Sequence, residues 1–138
     1  MDFEKYESLI KERLSEHRYR HSLNVAESAM MLAKKYGADE NKARLAGILH
    51  DIMKETPLDI QYEYILNGGE SISKLERHNS SVIHQKSGAA YCRTELDITD
   101  REVLGAIRWH TTGRPDMTLL EKIIYLADYI EPTRDFEG

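Results

Sequence analysis

Six residues break the apolar patterning of this chain in a chemically specific way. His21 lies four residues before Val25 and on the helical side that includes Leu32. His50 and Asp51 end the most apolar stretch of the chain, Ala43-Arg44-Leu45-Ala46-Gly47-Ile48-Leu49. His84 opens a segment carrying Ala90 and Tyr91, and His110 follows Val103 and Ile107 at seven and three residues. Asp128 follows Leu120 and Ile124 at eight and four residues, on one helical stripe. An unpaired buried carboxylate is very unfavourable, so Asp128 must neutralise, pair or bind a metal. Taken singly, a buried histidine is usually a hydrogen-bonded core residue and a buried aspartate an ion pair. Together, four of the six histidines and two carboxylates face one interior from several helices. Imidazole nitrogen with carboxylate oxygen, and no thiolate, suits iron, manganese, zinc or cobalt. It lacks the all-oxygen character of a calcium site.

Helices must position these groups. Valine occurs only three times, whereas Leu, Ala, Glu and Lys are plentiful, a balance that favours helix over strand. Phe3, Tyr6, Leu9, Ile10 and Leu14 mark one face of a first helix. Leu23, Ala26, Met30, Ala33 and Tyr36 mark a second, with Gly37 where a terminating glycine belongs. Asp39 caps a third helix that runs to about His50, apolar on nearly every side and so expected at the centre of a bundle. Thr56-Pro57 reads as a cap followed by proline in the first turn, with Asn67-Gly68-Gly69 closing that helix. Thr99-x-x-Glu102 and Thr118-x-x-Glu121 are capping-box patterns ahead of two further stripes, and Pro132 stops the last helix. Residues 67–81, rich in Gly and Ser, predict a mobile connection.

The chain has 138 residues, with 19 basic and 24 acidic side chains and a net charge of −5. That length fits one domain, and that charge argues against a duplex nucleic-acid binder. It leaves a phosphate substrate open, because a metal supplies local positive charge. The lone Cys92 excludes an intramolecular disulfide framework and fits a reducing compartment. No apolar run approaches a membrane span, and the first residues do not read as a secretory signal. A cytoplasmic protein with no membrane partner is expected.

The set His21, His50-Asp51 and Asp128 resembles the metal-binding signature of the HD-domain phosphohydrolases. HRYRHSLNVA at 17–26, LHDIMKE at 49–55 and WHTTGRPDMTLLEKIIYLADYIEPTR at 109–134 are similar to the bacterial YqeK family within that group. The resemblance implies an all-α HD-type bundle with a metal site at its centre, forming one domain over residues 1–138. It implies hydrolysis of diadenosine tetraphosphate at the central anhydride, giving two ADP, with bound iron. Members of that family usually continue past the EPTR segment with helices that help close the nucleotide site. Here the sequence stops at Gly138.

On this resemblance His21, His50, Asp51 and Asp128 are the expected ligands of a principal ion, with Asp51 bridging to a second ion if one is present. His84 and His110 then bind that second ion or donate to phosphates. Asp51 and Lys54 are the expected catalytic residues: Lys54, three residues on, is a phosphate clamp or proton donor to the leaving group. Arg18, three residues before His21, Thr111 in the Thr-Thr-Gly turn, and Arg134 are candidate phosphate contacts. His17 and His78 fit no part of the cluster, Trp109 and Cys92 read as core, and Tyr125 and Tyr129 read as a packed helix face. Three other readings stand beside this one, the plainest being a helical interaction protein with a fortuitous polar interior. An HD enzyme could act on a dNTP or an alarmone, or a regulatory module could keep metal and nucleotide binding without turnover. Iron is favoured among one or two transition-metal ions, and a homodimer is compatible with the sequence.

Overall fold

Side-chain caps start most of the helices. In the computed structural model, which describes residues 2–131, Asp2 accepts from the Lys5 amide ahead of α1 (Phe3–Arg13), and Ser15 from the Arg18 amide ahead of α2 (Glu16–Tyr36). Gly37, in the left-handed region at φ 80°, ends α2. Asp39 accepts from two amides ahead of α3 (Glu40–Leu49). There follow α4 (Leu58–Asn67), α5 (Lys74–His78), α6 (Ile83–Glu95), α7 (Arg101–Arg108) and α8 (Leu119–Ile130). No strand occurs among the described residues, and the all-α expectation holds. No helix is long and apolar enough to cross a membrane.

Several local expectations are corrected. Thr56 does not cap α4: Pro57 holds that position, and the Thr56 hydroxyl instead accepts from Arg13 at 3.3 Å. Asp100, not Thr99, caps α7, accepting from the Glu102 and Val103 amides. Thr118 does cap α8, but the Glu121 carboxylate does not return to the cap. It is buried in a two-point ion pair with Arg114, at 2.8 and 2.7 Å. The 67–81 connection contains α5, with a complete Ser73–Glu76 capping box, and a 3₁₀ turn at Ser80–Val82. The predicted stop at Pro132 lies outside the described residues.

As its composition demands, α3 is the central helix, packed by α1, α2, α7 and α8. Ile48 and Leu49 are fully enclosed, with Val25, Ala29, Ile107 and Ile124 around them. Each such aliphatic side chain contributes roughly 1.5–3 kcal/mol on burial. Gly47 sets the closest approach: a Cβ there would lie 2.5 Å from the Ala26 Cα on α2. Backbone contact at that point brings the His21 side of α2 against the His50 end of α3. Cys92 is a buried core residue, and burial pushes its thiol up to about 12.

Candidate metal centre

Five segments deliver the site. Arg18 and His21 come from the first turns of α2, and His50, Asp51 and Lys54 from the end of α3 and the turns after it. His84 comes from the start of α6, His110 and Thr111 from the end of α7, and Asp128 from α8. All of them except His21 and His50 line a cavity of about 260 Å³, together with His17, Tyr125 and Tyr129. His21, His50, Asp51, His84 and His110 are all buried, and Asp128 opens partly to the cavity.

Each of three imidazoles is held by the ring nitrogen that faces away from the centre. His50 Nδ1–H donates to the Gly47 carbonyl and His110 Nδ1–H to the Ile107 carbonyl, both at 2.7 Å. His21 Nδ1 meets the buried Glu131 carboxylate at 2.7 Å, and Asn24 donates to the other Glu131 oxygen at 3.0 Å. Such partners fix ring orientation and tautomer, and leave Nε2 as the donor atom.

The four Nε2 atoms converge on two carboxylates. His21 Nε2 lies 2.8 Å from Asp128 Oδ1 and 3.8 Å from Asp51 Oδ2. His50 Nε2 lies 3.5 Å from each of the same two oxygens. The other Asp51 oxygen, Oδ1, faces His84 Nε2 at 3.3 Å and His110 Nε2 at 3.5 Å, and those two nitrogens are 3.1 Å apart. Asp51 thus turns one oxygen toward each of two donor groups.

This donor set fits a metal. Bare nitrogens and carboxylate oxygens repel when crowded together, and only protons or a cation relieve them. His50 Nε2 is buried and makes no hydrogen bond among the described residues. Three ligand triads, drawn from His21, His50, Asp51, His84, His110 and Asp128, each have their donor atoms within 4.8 Å of one another. The electrostatics agree. Burial works against the charged form of Asp51, yet His50, His110 and His84 hold it well below the usual carboxylate range. Burial also opposes ionisation of Asp128, and His21 and His50 overcome it. Burial carries His84 the other way, down to about 4.

The remaining sequence expectations fare differently. Arg18 lines the cavity, but its Nη2 is engaged with Asp51 Oδ2. Lys54 is exposed at the cavity mouth, on the turn whose amide donates to the Asp51 carbonyl at 2.9 Å. Thr111 lines the cavity, but the amides of Thr111 and Thr112 donate to Gln85 Oε1, so they are turned from the phosphate role read for that turn. Arg134 lies outside the described residues. His17 is exposed on the cavity rim, and His78 is exposed outside the lining. Trp109 is half-buried, with the guanidinium groups of Arg108 and Arg114 near its ring at 3.9 and 5.4 Å from the centroid.

Two features escaped sequence reasoning. Glu131 follows Ala127 by four residues on the same stripe as Asp128's neighbours, and that spacing marks it as inward-facing. Tyr125 and Tyr129 are not a packed face: they are 41% and 56% exposed and line the cavity.

The sequence matches the HD domain over residues 18–133. The chain belongs to the HD-domain family. It is 48% identical to a symmetrical bis(5'-nucleosyl)-tetraphosphatase from Halalkalibacterium halodurans, over 94% of this chain and 69% of that one. It is 43% identical to the protein of the same name from Bacillus subtilis, over 100% of this chain and 74% of the relative. A crystal structure from Clostridium acetobutylicum, described as a predicted HD superfamily hydrolase involved in NAD metabolism, superposes with a TM-score of 0.93 at 43% identity. That match covers 100% of this chain and 73% of the other. Within the matched residues the geometry gathers His21, His50, Asp51 and Asp128 into a buried His/Asp cluster suited to a divalent metal.

Proposed function

We propose that this HD domain, read as one unit over residues 1–138, hydrolyses diadenosine tetraphosphate at its central anhydride and releases two ADP, with iron as its metal. One observation carries the chemistry: four imidazole Nε2 atoms and two carboxylates converge at the floor of an open cavity that Arg18 and Lys54 also line. The names of the relatives at 48% and 43% identity support the substrate.

In this reading His21, His50, Asp51 and Asp128 would hold the principal ion. Asp51, His84 and His110 would hold a second ion or contact phosphate oxygens. When bound, the metal would activate water as nucleophile at neutral pH and neutralise phosphate charge. Asp51 joins the two donor groups through its two oxygens. Glu131 fixes the His21 ring, and the Gly47 and Ile107 carbonyls fix His50 and His110. Lys54 Nζ carries the proton for the departing ADP oxygen, and Arg18 binds phosphate with its guanidinium. The Thr111 hydroxyl is a further phosphate contact, and Arg134 a second bidentate candidate.

The test is a product assay with diadenosine tetraphosphate on protein purified without chelator. ADP alone is expected at the earliest time points. AMP with ATP would overturn the symmetrical assignment. Elemental analysis of the same sample tests iron directly.

A further inference from the structure

We propose that Tyr125 and Tyr129 form the face on which a nucleobase of the substrate stacks, so that the site selects nucleoside polyphosphates over bare polyphosphates. The proposal rests on the nucleotide reading above. Apart from these two rings, the cavity is lined by charged and polar groups: imidazoles, Asp51, Asp128, Arg18, Lys54 and Thr111. Such a lining reads phosphate and metal, and offers a base no apolar surface. The two tyrosines supply the missing surface.

On α8 they lie off the buried stripe. The inner stripe of that helix is Leu120, Ile123, Ile124 and Ala127, all buried, and the tyrosine rings stay 41% and 56% exposed. They sit one turn apart, so their side chains are neighbours about 5–6 Å apart at Cβ. Asp128 lies between them in sequence, which sets the rings beside the metal ligands. Tyr125 also has a neighbour at its edge: at Gly113, with φ +68°, a Cβ would lie 3.4 Å from Met117 Sδ and 3.8 Å from Tyr125 Cε2, so this loop runs past one edge of the ring. An aromatic face beside a phosphate-reading pocket is the arrangement by which proteins bind bases without choosing among them, because every base has a π face.

The test compares ADP with inorganic pyrophosphate as equilibrium ligands of the metal-loaded protein. Tyr125→Ala should weaken ADP about 5- to 150-fold, the range of one base–aromatic stack. Pyrophosphate binding should be unchanged, and Tyr125→Phe should keep the ADP affinity. The Tyr125→Ala/Tyr129→Ala double variant should bring ADP toward the pyrophosphate value. Equal weakening of both ligands, or no weakening of ADP, would overturn the stacking role while leaving the nucleotide reading in place. Wild-type protein that binds pyrophosphate but not ADP would overturn both.

Discussion

Glu131 grips His21 by the nitrogen that points away from the metal centre, Oε2 to Nδ1 at 2.7 Å, with both side chains buried. A carboxylate in that position raises the basicity of the far nitrogen and locks the ring. Glu131→Ala removes it while leaving all six donor residues in the chain. Metal affinity should fall by roughly 10–100-fold, measured by competition with a chromophoric chelator. An unchanged affinity would mean that α8 packing alone sets the His21 ring.

Asp51 Oδ2 serves His21 and His50, and Oδ1 serves His84 and His110. The two donor groups should therefore separate in mutants. His50→Ala should leave no metal after desalting. His84→Ala and His110→Ala should each retain one ion per chain and lose turnover. Elemental analysis of the three variants reads this out, and total loss from all three would make the cluster a single inseparable site.

Lys54 is exposed at the mouth of the cavity and outside the donor cluster. Lys54→Ala should lower kcat by about 10²–10⁴ with metal content intact. A raised KM at constant kcat would instead make Lys54 a clamp that binds ground and transition states alike.

How much of this was legible beforehand follows from helical periodicity. The stripe Leu120, Ile124, Ala127 placed Asp128 inside, and the apolar run before His50-Asp51 placed that pair at the core. Period alone does not distinguish a buried stripe from the lip of a cavity. Tyr125 and Tyr129 therefore looked like packing residues, although the helix that they share leaves them open. Adjacent cap-forming residues also compete: Thr99 and Asp100 both suit the start of α7, and the carboxylate, able to accept from two amides, wins. The Arg18–Asp51 and Gln85–Thr111 contacts join residues 33 and 26 positions apart, where local pattern carries no information.

Asp100 links the start of α7 to α3 through Lys42, at 2.9 Å. Burial opposes its ionisation, but Lys42 and the capped amides together outweigh it and hold its carboxyl below the usual value. A depressed folded value means that the carboxylate stabilises the fold above the unfolded pKa, about 4. That stabilisation is lost as pH falls through the depressed value. An NMR titration should place Asp100 below an unperturbed aspartate, and Lys42→Ala should move it back up. A titration unchanged by Lys42→Ala would assign the shift to the helix cap alone.

Gly47→Ala tests the closest helix contact. Its Cβ would meet the Ala26 Cα at 2.5 Å and the Ala26 amide nitrogen at 2.8 Å, both backbone atoms that cannot turn aside. Overpacking of this kind typically costs about 1–3 kcal/mol. The denaturation midpoint should drop. Metal affinity should drop with it, because the Gly47 carbonyl is also the acceptor for His50.

Two of the imidazoles hang from carbonyls three residues upstream, His50 at the end of α3 and His110 at the end of α7. The last turn of a helix opens more readily than its middle. Fraying there releases the Nδ1 anchor and frees the ring to rotate, while the rest of the bundle stays folded. On heating, the centre should therefore lose its hold on metal before the helices melt. Inactivation by warming would then be an event of two helix ends, reversible on cooling with the ion resupplied.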